Sequence, residues 1–241
     1  KANAARKIAQ FLAEGPVKEG KHRSVPYHTF TWRGEECVSV GLKGHVLNPE
    51  YPEEYSNWQK VDPRELIDAR ILKSVSEKGV AAAVRSLAKK ADRVIIATDF
   101  DREGELIGVE ALSLAFEANP ALMDHVERAR FSALTKGEVT RAFENLVEVS
   151  RELADAGEAR QDIDLIWGAT LTRWVSRAVK RYGSAFLSVG RVQSPTLVLI
   201  AERELERRAF VPEPYWEVEA RLQNGGGPFV ARHARGRFKE E

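Results

Sequence analysis

Cysteine is almost missing from the chain: Cys37 stands alone among 241 residues, which excludes an internal disulfide framework and any multi-cysteine zinc site within it. A surplus of one charge is missing too. With 37 basic against 36 acidic side chains, bulk charge cannot hold a nucleic acid, and any such partner has to be gripped by local clusters. No apolar run approaches the ~20 residues of a membrane span, and no charged-then-apolar leader opens the chain. There is no internal repeat and no low-complexity tract. The expectation from these absences is a cytoplasmic, membrane-free protein, long enough for one large domain or two ordinary ones; a monomer is expected as well.

What is present reads as an alternation of elements. The opening KANAARKIAQFLAEG places Ala5, Ile8, Ala9 and Leu12 on one helical face and stops at Gly15-Pro16. Short β-branched runs come next at Thr29 to Trp32 and Val38 to Val40, and a proline- and aromatic-rich stretch from Glu50 to Pro63 reads as irregular. A helix over 76–90, with Ser74 and Glu77 spaced as a capping box, leads to a strand over 93–98. Then come a helix over 102–117, a strand around 128–132, and a helix from Thr135 and Glu138 to about Val147. Strand-helix-strand-helix order predicts a parallel α/β sheet. Beyond Ser150 the pattern changes to long helices, 151–182 and 193–208, broken by GSAFLSVG, and YWEVEARL then alternates like a strand. A helix at the first residue and an unclosed final run predict a segment of a longer chain.

The densest chemistry is ATDFDREGELIG, residues 97–108, where Asp99, Asp101, Glu103 and Glu105 crowd behind the apolar Val94-Ile95-Ile96. Ligands in α/β sheets sit outside the carboxyl ends of strands. Spaced two apart, Asp99, Asp101 and Glu103 share one face if the chain stays extended, and three such oxygens suit Mg²⁺. Carboxylates also decorate helix N-termini, where the macrodipole favours them. The spacing leaves both readings open. Arg102 and Gly104 lean toward a phosphate nearby, through a cation and a backbone free to approach.

Two further stretches carry weaker signals. In SVGRVQSPTLVLI, Arg191, Gln193 and Ser194 cluster where a helix begins, a disposition that can hold a phosphate but is more often an ordinary capped start with one surface Arg. In EARQDIDLIWGATLTRWVSR, Arg160, Asp164 and Trp167 fall on one helical face. Arg160 with Asp164 could be a simple i,i+4 pair, and Trp167 reads as core.

Taken in order, these stretches resemble the type IA DNA topoisomerases. DFDREGE resembles the acidic motif of the Toprim domain in the form those enzymes carry, and SVGRVQSPTL is similar to their Ser-x-Gly-Arg-Val-Gln-Ser signature. ARFSALT is similar to their Arg/Phe/Thr segment through Arg130, Phe131 and Thr135, GLKGHV carries their Gly-His pair at Gly44 and His45, and KANAARKIA resembles the residues just after their first catalytic glutamate. The resemblance implies an α/β chain in three parts: a Toprim domain with a Rossmann-like parallel sheet (1–148), a mainly helical domain of the DNA groove (149–210), and the start of a β-containing arch (211–241). It implies ATP-independent relaxation of negatively supercoiled DNA by single-strand breakage, passage and religation.

By the same resemblance Asp99, Asp101 and Glu103 hold Mg²⁺, Lys1 and Glu103 act at the reacting phosphate, and His45, Arg102, Arg160, Asp164, Arg191, Gln193 and Ser194 contact DNA. None of Tyr27, Tyr51, Tyr55, Tyr182 and Tyr215 has the Tyr-Pro-Arg context of the family's nucleophile, so these residues alone are expected to bind DNA and metal without cleaving. Other Toprim proteins (primases, recombination mediators, nucleases) share the acidic motif, and the topoisomerase half of reverse gyrase shares the whole set.

Overall fold

The computed structural model describes residues 2–239, which divide into two compact units, Lys1–Arg191 and Val192–Glu241. In the first unit, helix α1 (Ala2–Leu12) packs against an antiparallel meander of β1 (Lys18–His22), β2 (Val25–Trp32) and β3 (Glu35–Val40). A second antiparallel pair, β4 (Leu47–Glu50) and β5 (Leu72–Val75), brackets the irregular stretch. Helix α2 (Lys78–Ala88) leads to β6 (Val94–Ile96), α3 (Arg102–Ala118), β7 (Val126–Arg128), α4 (Lys136–Glu144) and α5 (Arg151–Ala178).

Among the described residues only β6 and β7 pair in parallel, Val94 opposite Val126 through Ile96 opposite Arg128, with α3 as the crossover. The mixed α/β class therefore holds, with a smaller parallel part than the alternation suggested. Val147 adds one antiparallel bridge to Arg128. Two predicted boundaries move for local reasons. Ser74 lies within β5 opposite Asn48, so it cannot cap α2, whose N-cap Glu77 makes no side-chain cap bond. Helix α5 stops at Ala178 rather than 182, and Lys180 comes after it with φ of 54°, outside helical space.

Burial explains the packing. The predicted face of α1 is buried throughout, Ala5, Ile8, Ala9 and Leu12, and it meets Phe30, Trp32, Phe131 and Phe143 from β2, the segment after β7, and α4. A second cluster joins α2 and α3 through Val80, Val84, Leu114 and Leu122 with Val25 and Val46. Between α3 and α5 the contact is close because residue 157 is glycine. A Cβ there would stand 2.6 Å from the Arg102 carbonyl oxygen and 3.1 Å from Leu106 Cβ.

One buried ion pair ties these elements together. Arg128 and Glu105 side chains are both 0 % exposed, with Nε 2.8 Å from Oε2. The same guanidinium donates to the carbonyls of Ile96 (3.3 Å), Ala129 (2.7 Å) and Asp99 (2.9 Å). The other Glu105 oxygen accepts from Ser150 N–H at 2.8 Å, next to the first turn of α5. Strand end, crossover helix and the start of α5 thus share one polar node, with charge and hydrogen-bonding capacity answered locally.

The second unit consists of α6 (Gln193–Ala209) and the hairpin of β8 (Trp216–Asn224) and β9 (Gly227–Phe238), with a bulge between Glu217 and Glu219. Pairs Arg232–Glu219 (2.9 Å) and Arg237–Glu217 (3.3 Å) cross the hairpin. Among the described residues no helix is long and apolar enough to cross a membrane.

Gly157→Ala should cost about 1–3 kcal/mol by forcing α3 and α5 apart, measured as a lower denaturant midpoint. Glu105→Ala should cost about 3–5 kcal/mol by leaving the Arg128 guanidinium buried without its carboxylate, while replacing both by apolar residues (E105L with R128M) should recover most of that loss. Equal midpoints for E105A and the unchanged chain would refute the coupling.

Candidate nucleic-acid and metal site

The acidic motif sits where β6 ends and α3 begins. Of the two readings left open, a single extended face does not form across all three acids: Asp101 keeps an extended backbone, but the helix begins at Arg102 and carries Glu103. Asp101 is the N-cap of α3: its Oδ1 accepts from Gly104 N–H at 2.7 Å, and its own N–H donates to the Asp99 carbonyl at 3.0 Å. Thr98 Oγ donates to the Gly104 carbonyl at 2.6 Å, closing the turn. Only glycine fits at 104, since a Cβ would lie 2.1 Å from the Asp99 carbonyl oxygen. Asp99, Asp101 and Arg102 are exposed there, Glu103 is half-buried on the first helical turn, and the Arg130 guanidinium covers the Phe100 ring at 4.7 Å.

Glu103 is already engaged. Its Oε1 lies 2.7 Å from His45 Nε2, and its Oε2 3.6 Å from an Arg160 guanidinium nitrogen. His45 Nδ1 in turn lies 3.0 Å from Oε1 of Glu110, a residue only 2 % exposed. Burial works against a charge on His45, but the Glu103 hydrogen bond and the Glu110 carboxylate outweigh it and hold its pKa above the ordinary imidazole value. A protonated ring donates from both nitrogens, one to each carboxylate.

From Arg160 the charged side chains continue along α5. Arg160 Nε is 3.8 Å from Asp164 Oδ2, and Arg191 Nε is 2.6 Å from Asp164 Oδ1. The Arg191 hydrogen bond holds the Asp164 carboxyl below its usual range. Arg191 reaches this face because the chain returns along α5, held by two hydroxyls one turn apart. Thr172 Oγ accepts from Val189 N–H at 2.9 Å, and Ser176 Oγ accepts from Leu187 N–H at 3.0 Å.

The structure therefore brings His45, Glu103, Arg160, Asp164 and Arg191 into one string of contacts, with Asp99, Asp101 and Arg102 at the strand end beside Glu103. Gln193 and Ser194 open α6 and belong to the second unit, and Lys1 lies outside the described residues. Trp167, read as core, is instead exposed; α5 buries Ala154 and Gly157 near its start and Thr170, Thr172, Arg173 and Ser176 near its end. Sequence reasoning missed Glu110, Arg128, Thr172 and Ser176. A signal for Glu110 existed, since it stands seven residues after Glu103, two helical turns on along the same face.

For a divalent cation the donor chemistry fits. Asp99 and Asp101 present exposed carboxylates at one strand end, and Mg²⁺ commonly takes one or two such groups, leaving other positions to water and phosphate. Among the described residues no three His, Cys, Asp or Glu side chains converge as a ligand set. Glu103 is turned toward His45 and Arg160 instead.

Comparison with known proteins finds two family matches along the chain. Residues 1–134 match the family described as Toprim domain, and residues 148–241 match the family described as DNA topoisomerase. DNA topoisomerase 1 of Thermoplasma acidophilum is 43% identical over 97% of this chain and 30% of its own length. DNA topoisomerase 1 of Archaeoglobus fulgidus is 46% identical over 97% of this chain and 34% of its own. DNA topoisomerase 3-alpha of Drosophila melanogaster is 33% identical over 91% of this chain and 18% of its own. The chain spans about a third of the length of the archaeal relatives. A Toprim match that includes the capped acidic turn, succeeded in order by a topoisomerase match that includes Arg160, Asp164 and Arg191, places the chain in the type IA DNA topoisomerase family.

Proposed function

We propose that this chain supplies the metal-holding and strand-gripping part of an enzyme that relaxes negatively supercoiled DNA without ATP, by cutting one strand, passing another through the gap and resealing. The observation that carries the reading is the string Glu103–Arg160–Asp164–Arg191, which joins the acidic strand end to a cationic path along α5. Phosphoryl transfer needs charge on the phosphate oxygens neutralised, and a single strand is held by cations tracking its backbone.

In this reading Asp99 and Asp101, with Glu103, hold Mg²⁺, which supplies positive charge to the phosphate oxygens as charge builds there. Glu103 lies closest to the reaction, Lys1 faces the reacting phosphate, and His45 fixes Glu103. Arg102 and Arg160 meet phosphates next to the cut, with Asp164 setting the orientation of Arg160 and Arg191. Arg191, Gln193 and Ser194 grip the strand backbone. The nucleophilic tyrosine comes from a part of the enzyme other than this chain; Tyr51, for instance, donates its hydroxyl to the Leu66 carbonyl at 2.9 Å. We place the Toprim domain at 1–148, the groove domain at 149–210 and the start of the arch at 211–241, consistent with a Toprim match that ends at 134 and a topoisomerase match that begins at 148.

The full-length parent should relax negatively supercoiled plasmid when Mg²⁺ is supplied, and Asp99→Ala with Asp101→Ala should abolish relaxation or religation; full activity in the double variant would refute the metal assignment. Arg191→Ala should weaken single-strand binding and reduce the slope of log K against log salt by about 0.7, the share of one phosphate contact on single-stranded DNA. An unchanged slope would remove Arg191 from the phosphate path.

A further inference from the structure

Glu110 is a carboxylate buried on a helix whose neighbouring positions, Leu106, Ala111 and Leu114, are buried and apolar. Burial of an acid costs several kcal/mol unless its oxygens are answered. Here both are answered by one short segment, residues 45–47. Oε2 accepts from the N–H groups of Val46 (3.1 Å) and Leu47 (3.4 Å), and Oε1 meets His45 Nδ1 at 3.0 Å. Tethering the segment alone would require only the backbone bonds. The second oxygen fixes a ring, and the far nitrogen of that ring is 2.7 Å from Glu103 Oε1.

From this geometry we infer that Glu110 is a positioning residue for Glu103, acting through His45. Glu103 and Glu110 stand two turns apart on one face of α3, and the imidazole spans the gap between them. With Nδ1 held by Glu110, a ring flip would put carbon where both carboxylates need a donor, so the Nε2 bond to Glu103 is fixed in direction. The half-buried acid at the reacting end is thereby oriented from the core, by a group too deep to touch DNA or metal. Groups that hydrogen-bond a metal ligand orient it, and their loss typically costs about 10–100-fold in metal affinity or activity.

The inference rests on the proposed topoisomerase reading, and a structural arm separates the two. The test uses the full-length parent with E110A, E110Q, H45A and the E110A/H45A pair. In crystals of E110A the His45 ring should leave Glu103; a ring that keeps its Glu103 contact overturns the assignment, whether or not the parent relaxes DNA. In single-turnover strand cleavage at saturating DNA, E110A should be slower by about tenfold or more. Adding E110A to H45A should change the rate by less than about twofold, since residues acting through one another are not additive.

Glutamine at 110 can accept from Val46 and Leu47 with its oxygen and donate its amide to His45 Nδ1. E110Q should therefore keep the wild-type melting temperature and lose less activity than E110A. A full E110A penalty in the H45A background, or an E110Q rate as low as that of E110A, would show that Glu110 acts on the fold at large and would overturn the inference.

Discussion

The pairing of Arg128 with Glu105 is the constraint on which the rest of the first unit depends. A fully buried guanidinium cannot shed its charge, so every group around it has to be arranged for its five N–H donors. The carbonyls of Ile96, Asp99 and Ala129 answer it from the backbone, and Glu105 answers it from α3. Because Glu105 also accepts from Ser150 N–H, the start of α5 is registered against the same point. The direction of the Asp99 turn and the placement of Arg160 on α5 are thus consequences of one ion pair rather than independent features.

Outside that core the exposed charges are balanced among themselves. Glu103 faces His45 and Arg160, Asp164 faces Arg160 and Arg191, and the Asp101 carboxylate caps its own helix. Arg160 and Arg191, the two cations of the path along α5, each have an anion of the protein as partner. Under the proposed function, a phosphate arriving at Arg191 would have to displace a hydrogen-bonded carboxylate, and its affinity there would be a difference between two ion pairs.

How much of this was legible in the sequence varied with the range of the interaction. The buried face of α1, the cap at Thr135 and the starts of α3, α5 and α6 are set by neighbours within a few positions, and they are read correctly from the pattern. The acidic motif's position at a strand end and the helix start at Arg102 were both legible; which of the two open readings of its carboxylates holds was not, because that turns on the cap Asp101 makes to Gly104 N–H. Strand β1, KEGKH, has no apolar alternation to reveal it, because it is a polar edge strand. The contacts of Glu110 with His45, 65 residues away, and of Arg128 with Glu105, 23 away, leave no periodic trace. Their sequence mark is only an acid at a helix position that should be apolar, and a basic residue ending a strand.

The return of the chain along α5 rests on the hydroxyls of Thr172 and Ser176, in place of a ladder of main-chain bonds. Side-chain rotamers can release such bonds without disturbing a single helical turn, whereas the Arg128–Val147 bridge, closed by two backbone bonds, opens only with its surroundings. Amide protons at Leu187 and Val189 are expected to exchange sooner than those of Arg128 and Val147. The segment that carries Arg191 is thus kept on its helix in part by side chains, with Thr172 and Ser176 bonded to its backbone and Trp58 edge-on to Phe186 at 5.6 Å, while the node beneath it is closed by the main chain.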